Sequence, residues 1–208
     1  ASPTKHQTAS YKKYAHKHHK IAILPVIFED KKFTENISDD EKKILLHNEN
    51  DFVQTALYQR ILWESCNEKK DVNIDIESVS VTNDKLKTAG IDVLNITNHT
   101  TEEIVKALGV DALLRTKITT TIMLHSTTHD VTKEIITQTS RLLNNSILRQ
   151  AIHLNTVPIF LNTEIIDAKD YTTIWAFYKK RNLELHEKNT DMLVWLTKDV
   201  ARRFPYRD

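Results

Sequence analysis

The sequence predicts a single α/β domain, a mixed sheet of about five strands flanked by helices and completed by a C-terminal strand hairpin and a terminal helix. Three segments carry that prediction by their order. Lys20-Ile21-Ala22-Ile23-Leu24-Pro25-Val26 is an apolar run suited to a strand covered on both faces, stopped by a proline. Leu108-Gly109-Val110-Asp111-Ala112-Leu113-Leu114 ends a helix and opens a strand. Ile165 to Trp175 reads as strand, polar turn and second strand.

Residues 1–20 precede this pattern with five lysines, four histidines and no acid. That composition predicts a basic, mobile leader over 1–19, with the α/β domain occupying 20–208. The first strand covers roughly 20–28. Ser38-x-x-Glu41 is a capping-box pattern opening a helical stripe through Leu45, Leu46, Phe52, Val53, Leu57, Ile61 and Leu62. The polar run Asn48-Glu49-Asn50 predicts that this helix splits in two. A strand follows from Val72 through Val81, then a short helix from Asp84 to Ala89.

A second capping box, Thr100-x-x-Glu103, begins a helix that buries Ile104, Val105 and Leu108. Gly90 and Gly109 stand just past the two helix ends, where a left-handed residue closes the last turn. Residues 111–124 alternate as a half-exposed strand, with Leu114, Thr116 and Ile118 on one face and Arg115 and Lys117 on the other. Residues 131–148 fit a helical stripe better than a strand. Val157 to Ile165 is the next strand, with Pro158 favouring an edge or bulge. Thr173 to Arg181 is the last strand, and a helix from Thr190 ends before Pro205. Trp63, Trp175 and Trp195 occupy apolar phases and are expected in the core.

Composition narrows the function classes. At 208 residues with 40% apolar content, one domain with a sizeable core is the default. A net charge of +1 provides no argument for nucleic acid. No apolar run approaches the ~18 residues needed to span a bilayer. The lone Cys66 excludes an intrachain disulfide. With Gly90 and Gly109 both used as helix stops, neither a phosphate-cradling loop nor a G-x-S-x-G elbow can be built.

The three segments together resemble small bacterial envelope lipoproteins of the structural group that includes the TolB N-terminal domain, CsgG, LpoB and PelC. The matching features are the IAILP first strand, the long helix, the LGVDALL junction, the IIDAKDYTTIW hairpin and a terminal helix ending near Phe204-Pro205-Tyr206. Ala168-Lys169-Asp170 stands where the turn in that group usually carries a glycine. The resemblance implies a lipid anchor on a cysteine upstream of residue 1, the periplasmic face of the outer membrane, and a non-enzymatic module that binds an envelope protein or cell-wall component. It also leaves room for a homo-oligomeric accessory protein of a secretion or export system.

Several residues carry chemical potential of their own. His16, His18 and His19 are a candidate metal set, the alternative being a solvated histidine leader. His125 and His129 have helical spacing, but Ser126 stands where the zinc-hydrolase glutamate belongs. No catalytic constellation or cofactor motif emerges, so a hydrolase or metal-binding protein with an unrecognised site is the remaining alternative. The candidate partner-binding residues are Asp167, Lys169, Asp170 and Tyr171 at the hairpin turn, and Arg202, Arg203, Tyr206 and Arg207 at the C-terminus. Expected partners are envelope components, a membrane through the anchor and further copies of the chain, with no nucleic acid and no cofactor.

Overall fold

A computed structural model describes residues 4–29, 38–68, 72–120, 156–184 and 189–206. The expected helix over 131–148 and the His125/His129 pair lie outside these residues. The described elements run β1 (Thr4–Gln7), α1 (Tyr11–Ala15), β2 (Lys20–Ile23), β3 (Ile27–Glu29), α2 (Asp39–Glu68), β4 (Asp75–Ile76), α3 (Val79–Thr88), a single 3₁₀ turn, α4 (Thr101–Leu108), β5 (Ala112–Thr120), β6 (Thr156–Asp167), β7 (Thr173–Glu184) and α5 (Asn189–Arg203).

One seven-stranded mixed sheet organises them in the order β1-β7-β6-β5-β2-β4, with β3 also paired to β5. The β1–β7, β7–β6 and β6–β5 pairs are antiparallel. The β5–β2, β5–β3 and β2–β4 pairs are parallel. The fold class expected from sequence is the one observed, with two more strands.

One extra strand has a local cause and the other a distant one. Residues 20–28 form two strands because Pro25 has no N–H to give the ladder. The chain leaves β5 after the Leu24 N–H bonds the Leu114 carbonyl, then rejoins it at Ile27↔Lys117. Residues 4–19, expected as a mobile leader, carry β1 on the outer edge of β7 and the helix α1. Tyr11 explains the difference: its ring is buried against Tyr206, anchoring a segment whose charges otherwise read as solvated.

Three further expectations are corrected. The helix α2 runs unbroken through Asn48-Glu49-Asn50, since polar residues without glycine or proline do not break a helix. The expected 72–81 strand contracts to β4, and α3 begins at Val79 because Thr82 and Leu86 share a buried helical face. Pro158 lies in β6, an interior strand, one residue beyond the last described β5 pairing, Ile159↔Thr120. The Thr100–Glu103 capping box forms in full, and Gly90 and Gly109 take φ values of +75° and +63°.

The sheet is covered on two sides. Ile21, Ile23, Leu114, Leu161, Ile165, Trp175 and Phe177 pack with Val53, Leu57 and Ile61 of α2 and Leu196 and Val200 of α5. Ala22, Leu24, Leu113 and Ile166 face the opposite way, onto Leu86 of α3 and Ile104 and Leu108 of α4. Strand alternation sorts these residues onto two faces. Buried polar groups tie the layers: Gln54 of α2 donates to the Ile23 carbonyl and exchanges hydrogen bonds with Asn83 of α3. Lys85 bridges α3 to α4 by donating to the Glu77 carboxylate and the Leu108 carbonyl. Trp175 is fully buried, whereas Trp63 is half exposed on α2 with the Arg60 guanidinium 4.0 Å from its ring centroid.

Candidate functional site

The β6–β7 turn concentrates the sequence-predicted site residues. Asp167 ends β6 and its carboxylate organises the turn after it. One oxygen accepts the Lys169 and Asp170 amide N–H groups at 2.9 and 3.0 Å. The other lies 2.7 Å from His18 Nε2. His18 Nδ1 in turn lies 2.5 Å from the Tyr206 hydroxyl. All three side chains are buried. The node therefore joins the segment before β2, the hairpin and the C-terminus.

Burial fixes the proton of the phenol. Burial, reinforced by the neighbouring Tyr11, Asp167 and Asp111, pushes the Tyr206 phenol well above its ordinary range, so it keeps its proton. Tyr206 and Nδ1 share one hydrogen bond, whose direction depends on the imidazole tautomer, and Nε2–H donates to Asp167. Tyr11 and Phe204 pack their rings around Tyr206, with centroids 6.1 and 5.5 Å away. Every strong polar atom of the node has a partner inside it. Chemically this is a fastening, because both imidazole nitrogens are already engaged.

A second layer surrounds the fastening. The Asp111 carboxylate accepts the His19 and Lys20 amides at 2.8 and 3.0 Å, and its carbonyl accepts from Ala168 N–H. Tyr14 on α1 donates to the Asp170 carboxylate at 2.7 Å. That bond, helped by Thr172, holds the Asp170 carboxyl down at about 2. The left-handed residue missing from Ala168-Lys169-Asp170 is supplied by Tyr171, at φ +61°. An aromatic side chain in that region is strained, and here it is also exposed. The hairpin thus presents Lys169, Asp170 and Tyr171 on a clamped base.

The C-terminal residues are placed differently. Arg202 lies 3.6 Å from the buried Glu64, which also receives Arg60 at 2.6 Å, linking α5 to α2. Arg203 pairs with Asp199 at 3.0 Å and lies over the Phe177 ring. Tyr206 belongs to the buried node, and Arg207 lies outside the described residues. Among the histidines, His16 and His19 are exposed while His18 is turned inward. Among the described residues, no group of three histidine, cysteine or acidic side chains is arranged to hold a metal.

Sequence reasoning missed a cationic cluster at the open end of the same hairpin. Lys179 and Arg181 follow Trp175 and Phe177 at two-residue spacing on β7, so they extend its core-facing row beyond the apolar residues. Their cations lie 3.8 and 4.4 Å from the Trp195 ring centroid of α5. Lys179 also pairs with Asp199, one helical turn beyond Trp195. A cavity of about 430 Å³ opens here, lined by Lys179, Lys180, Arg181, Asn182 and Trp195. The usable signal was the match between β7 alternation and the Trp195/Asp199 helical pair.

No described helix is long and apolar enough to cross a membrane. No family model matches the chain, and no curated protein matches it either. Among solved structures, the chain is similar to the lipoprotein GNA1162 from Neisseria meningitidis, at 14% identity and a TM-score of 0.44 over 89% of this chain and 97% of that chain. It is also similar to the PelC dodecamer from Paraburkholderia phytofirmans, at 10% identity and a TM-score of 0.41 over 96% and 94%. The LpoB C-terminal domain from Salmonella enterica follows at 9% identity and a TM-score of 0.34 over 80% and 83%. None of these likenesses assigns this chain an activity or a partner.

Proposed function

We infer that the chain is a non-enzymatic envelope lipoprotein module that recognises another envelope component through the tip of its β6–β7 hairpin. In this reading a lipid upstream of residue 1 holds it at the periplasmic face of the outer membrane. The observation that carries the reading is the contrast within five residues: Asp167 is buried and fully bonded, while Tyr171 projects from a strained, left-handed position. Strain at an exposed aromatic residue is tolerated where the surrounding structure fixes it and where binding uses it. Lys169 and Asp170 precede Tyr171 with opposite charges, which suits a polar, protein-like surface.

The anchor and the surface need separate tests. Feeding a labelled fatty acid to a Gram-negative host expressing the full-length gene, then fractionating the envelope, tests the anchor. Label and membrane recovery are expected, and an unlabelled soluble product refutes it. A photo-crosslinking residue at position 171, compared with one at exposed Val81, tests the surface. Discrete adducts at 171 alone are expected. Equal adducts at both positions, or none at 171, refute the hairpin as the contact.

A further inference from the structure

The open end of the β6–β7 hairpin gathers positive charge around a cavity. Lys179, Lys180 and Arg181 follow one another on β7, with Asn182 next. These four residues and Trp195 line the cavity of about 430 Å³. Among the described residues its wall thus carries three cations, an amide and an indole, and no acid. Lys179 is only 14% exposed, and its ammonium lies 3.8 Å from the Trp195 ring centroid. The Arg181 guanidinium lies 4.4 Å from the same centroid, so the two cations are within about 8 Å of each other. That is no more than a Debye length at physiological salt. On the other side of the strand Lys180 lies 5.3 Å from the Phe160 ring centroid. Each cation is therefore held against a ring before any ligand arrives.

The carboxylate paired with Lys179 is Asp199, and it also serves Arg203. Like charges brought this close repel, and an anion placed between them offsets the repulsion. The cations have donors to spare for one. An ammonium carries three N–H groups and a guanidinium five, and a ring contact or a single ion pair does not use them all. A tetrahedral oxyanion accepting a charge-assisted hydrogen bond of about 2.8 Å at each of two oxygens spans cations about 8 Å apart. Its further oxygen can take Lys180 or the Asn182 amide, which the two oxygens of a carboxylate cannot do as well. The cavity is much larger than a bare ion and falls in the range of small-molecule sites.

We propose that Lys179, Lys180, Arg181 and Asn182 form a binding site for the phosphate of an organic phosphate, with Trp195 fixing its cations. The phosphate could belong to an anionic phospholipid headgroup or to a soluble phosphate ester, and the chemistry of recognition is the same. Arg181 stands ten residues along the hairpin from Tyr171, up to about 30 Å away. The site therefore stands or falls separately from the hairpin tip and from the lipid anchor.

Two titrations of the unlipidated 208-residue chain test it. In one, glycerol phosphate is added at constant ionic strength to protein labelled with nitrogen-15 at tryptophan, and the Trp195 indole N–H is followed by NMR. In the other, phosphatidylglycerol vesicles are compared with phosphatidylcholine vesicles by flotation. A saturable shift of Trp195, with Trp63 and Trp175 unmoved, assigns the site to a soluble ester. Flotation with phosphatidylglycerol alone and no such shift assigns it to a lipid headgroup. In whichever arm binds, Lys180→Ala, Arg181→Ala and Asn182→Asp should each weaken binding about tenfold, while Arg181→Lys keeps most of it. Lys179 is left intact because it also holds Asp199. Circular dichroism checks that each variant is folded. Absence of binding in both arms overturns the proposal. So does a shift that chloride reproduces, or binding that the folded alanine variants leave unchanged.

Discussion

At its turn the β6–β7 hairpin is held by buried hydrogen bonds among His18, Asp167 and Tyr206, whereas at its open end it is held by cations laid on Trp195. The turn has directional bonds with every group satisfied. The open end has partly exposed charges, with Asp199 shared between Lys179 and Arg203. Removing one member of a closed buried network leaves the others desolvated and unpaired. Removing one cation from a partly wet cluster lets water replace it. The two ends of one strand pair are therefore expected to respond to mutation very differently.

The largest effect is expected from His18→Ala, which strands the Asp167 carboxylate and the Tyr206 hydroxyl. Chemical denaturation should show a loss of about 2–4 kcal/mol. Tyr206→Phe keeps the ring packing and removes only the hydroxyl, so its cost should be about 1–2 kcal/mol. Equal losses for the two variants would show that packing, not the hydrogen-bonded chain, holds the turn. At the open end, Lys179→Ala should cost about 1 kcal/mol or less, with Arg203 still serving Asp199. A loss matching that of His18→Ala would erase the distinction between the ends.

Tyr171→Gly sharpens the comparison in the other direction. Glycine adopts φ +61° without strain, so chemical denaturation should show a rise in stability of up to about 1 kcal/mol. Titration supplies the smallest effects near neutrality. The Asp170 carboxyl is lowered to about 2, chiefly by the Tyr14 hydrogen bond. Its contribution is present above the ordinary carboxylate range and is lost as pH falls through about 2. The Thr172 amide, which donates to Asp170 at 3.0 Å, should report this by NMR. Tyr11 is pushed up to about 12 by burial. The folded state keeps this stabilisation below about pH 10 and loses it as pH rises through about 12. Tyrosine ultraviolet absorbance followed alongside circular dichroism should show ionisation and unfolding together.

Much of the fold was legible because its signals are local. The Thr100–Glu103 box, the two glycine stops and the alternation of Leu114, Thr116 and Ile118 each depend on residues within a few positions of one another. The misread segments share the opposite property. Tyr11 makes 4–19 an ordered edge only by meeting Tyr206, and Thr82 turns a strand-like run into α3 by packing inward. Trp63 looked like core because its neighbours did, and only the placement of α2 on the sheet put it outside.

The candidate site divides in the same way. The turn at Asp167–Asp170, its unusual lack of glycine and the basic C-terminus were readable as residues, though not as contacts. In sequence, His18 groups with His16 and His19 as a metal set, and Asp167 and Tyr206 read as partner-binding surface. Their convergence spans 149 and 188 positions of chain. By itself the sequence determined the fold class, the order of the central elements and the boundaries of α4, since propensity, capping and periodicity act over a few residues. Tertiary structure alone decided which polar groups are buried together, which aromatic rings face solvent and which strand carries the edge. Those outcomes depend on burial and pairing between segments that the chain brings together only when folded.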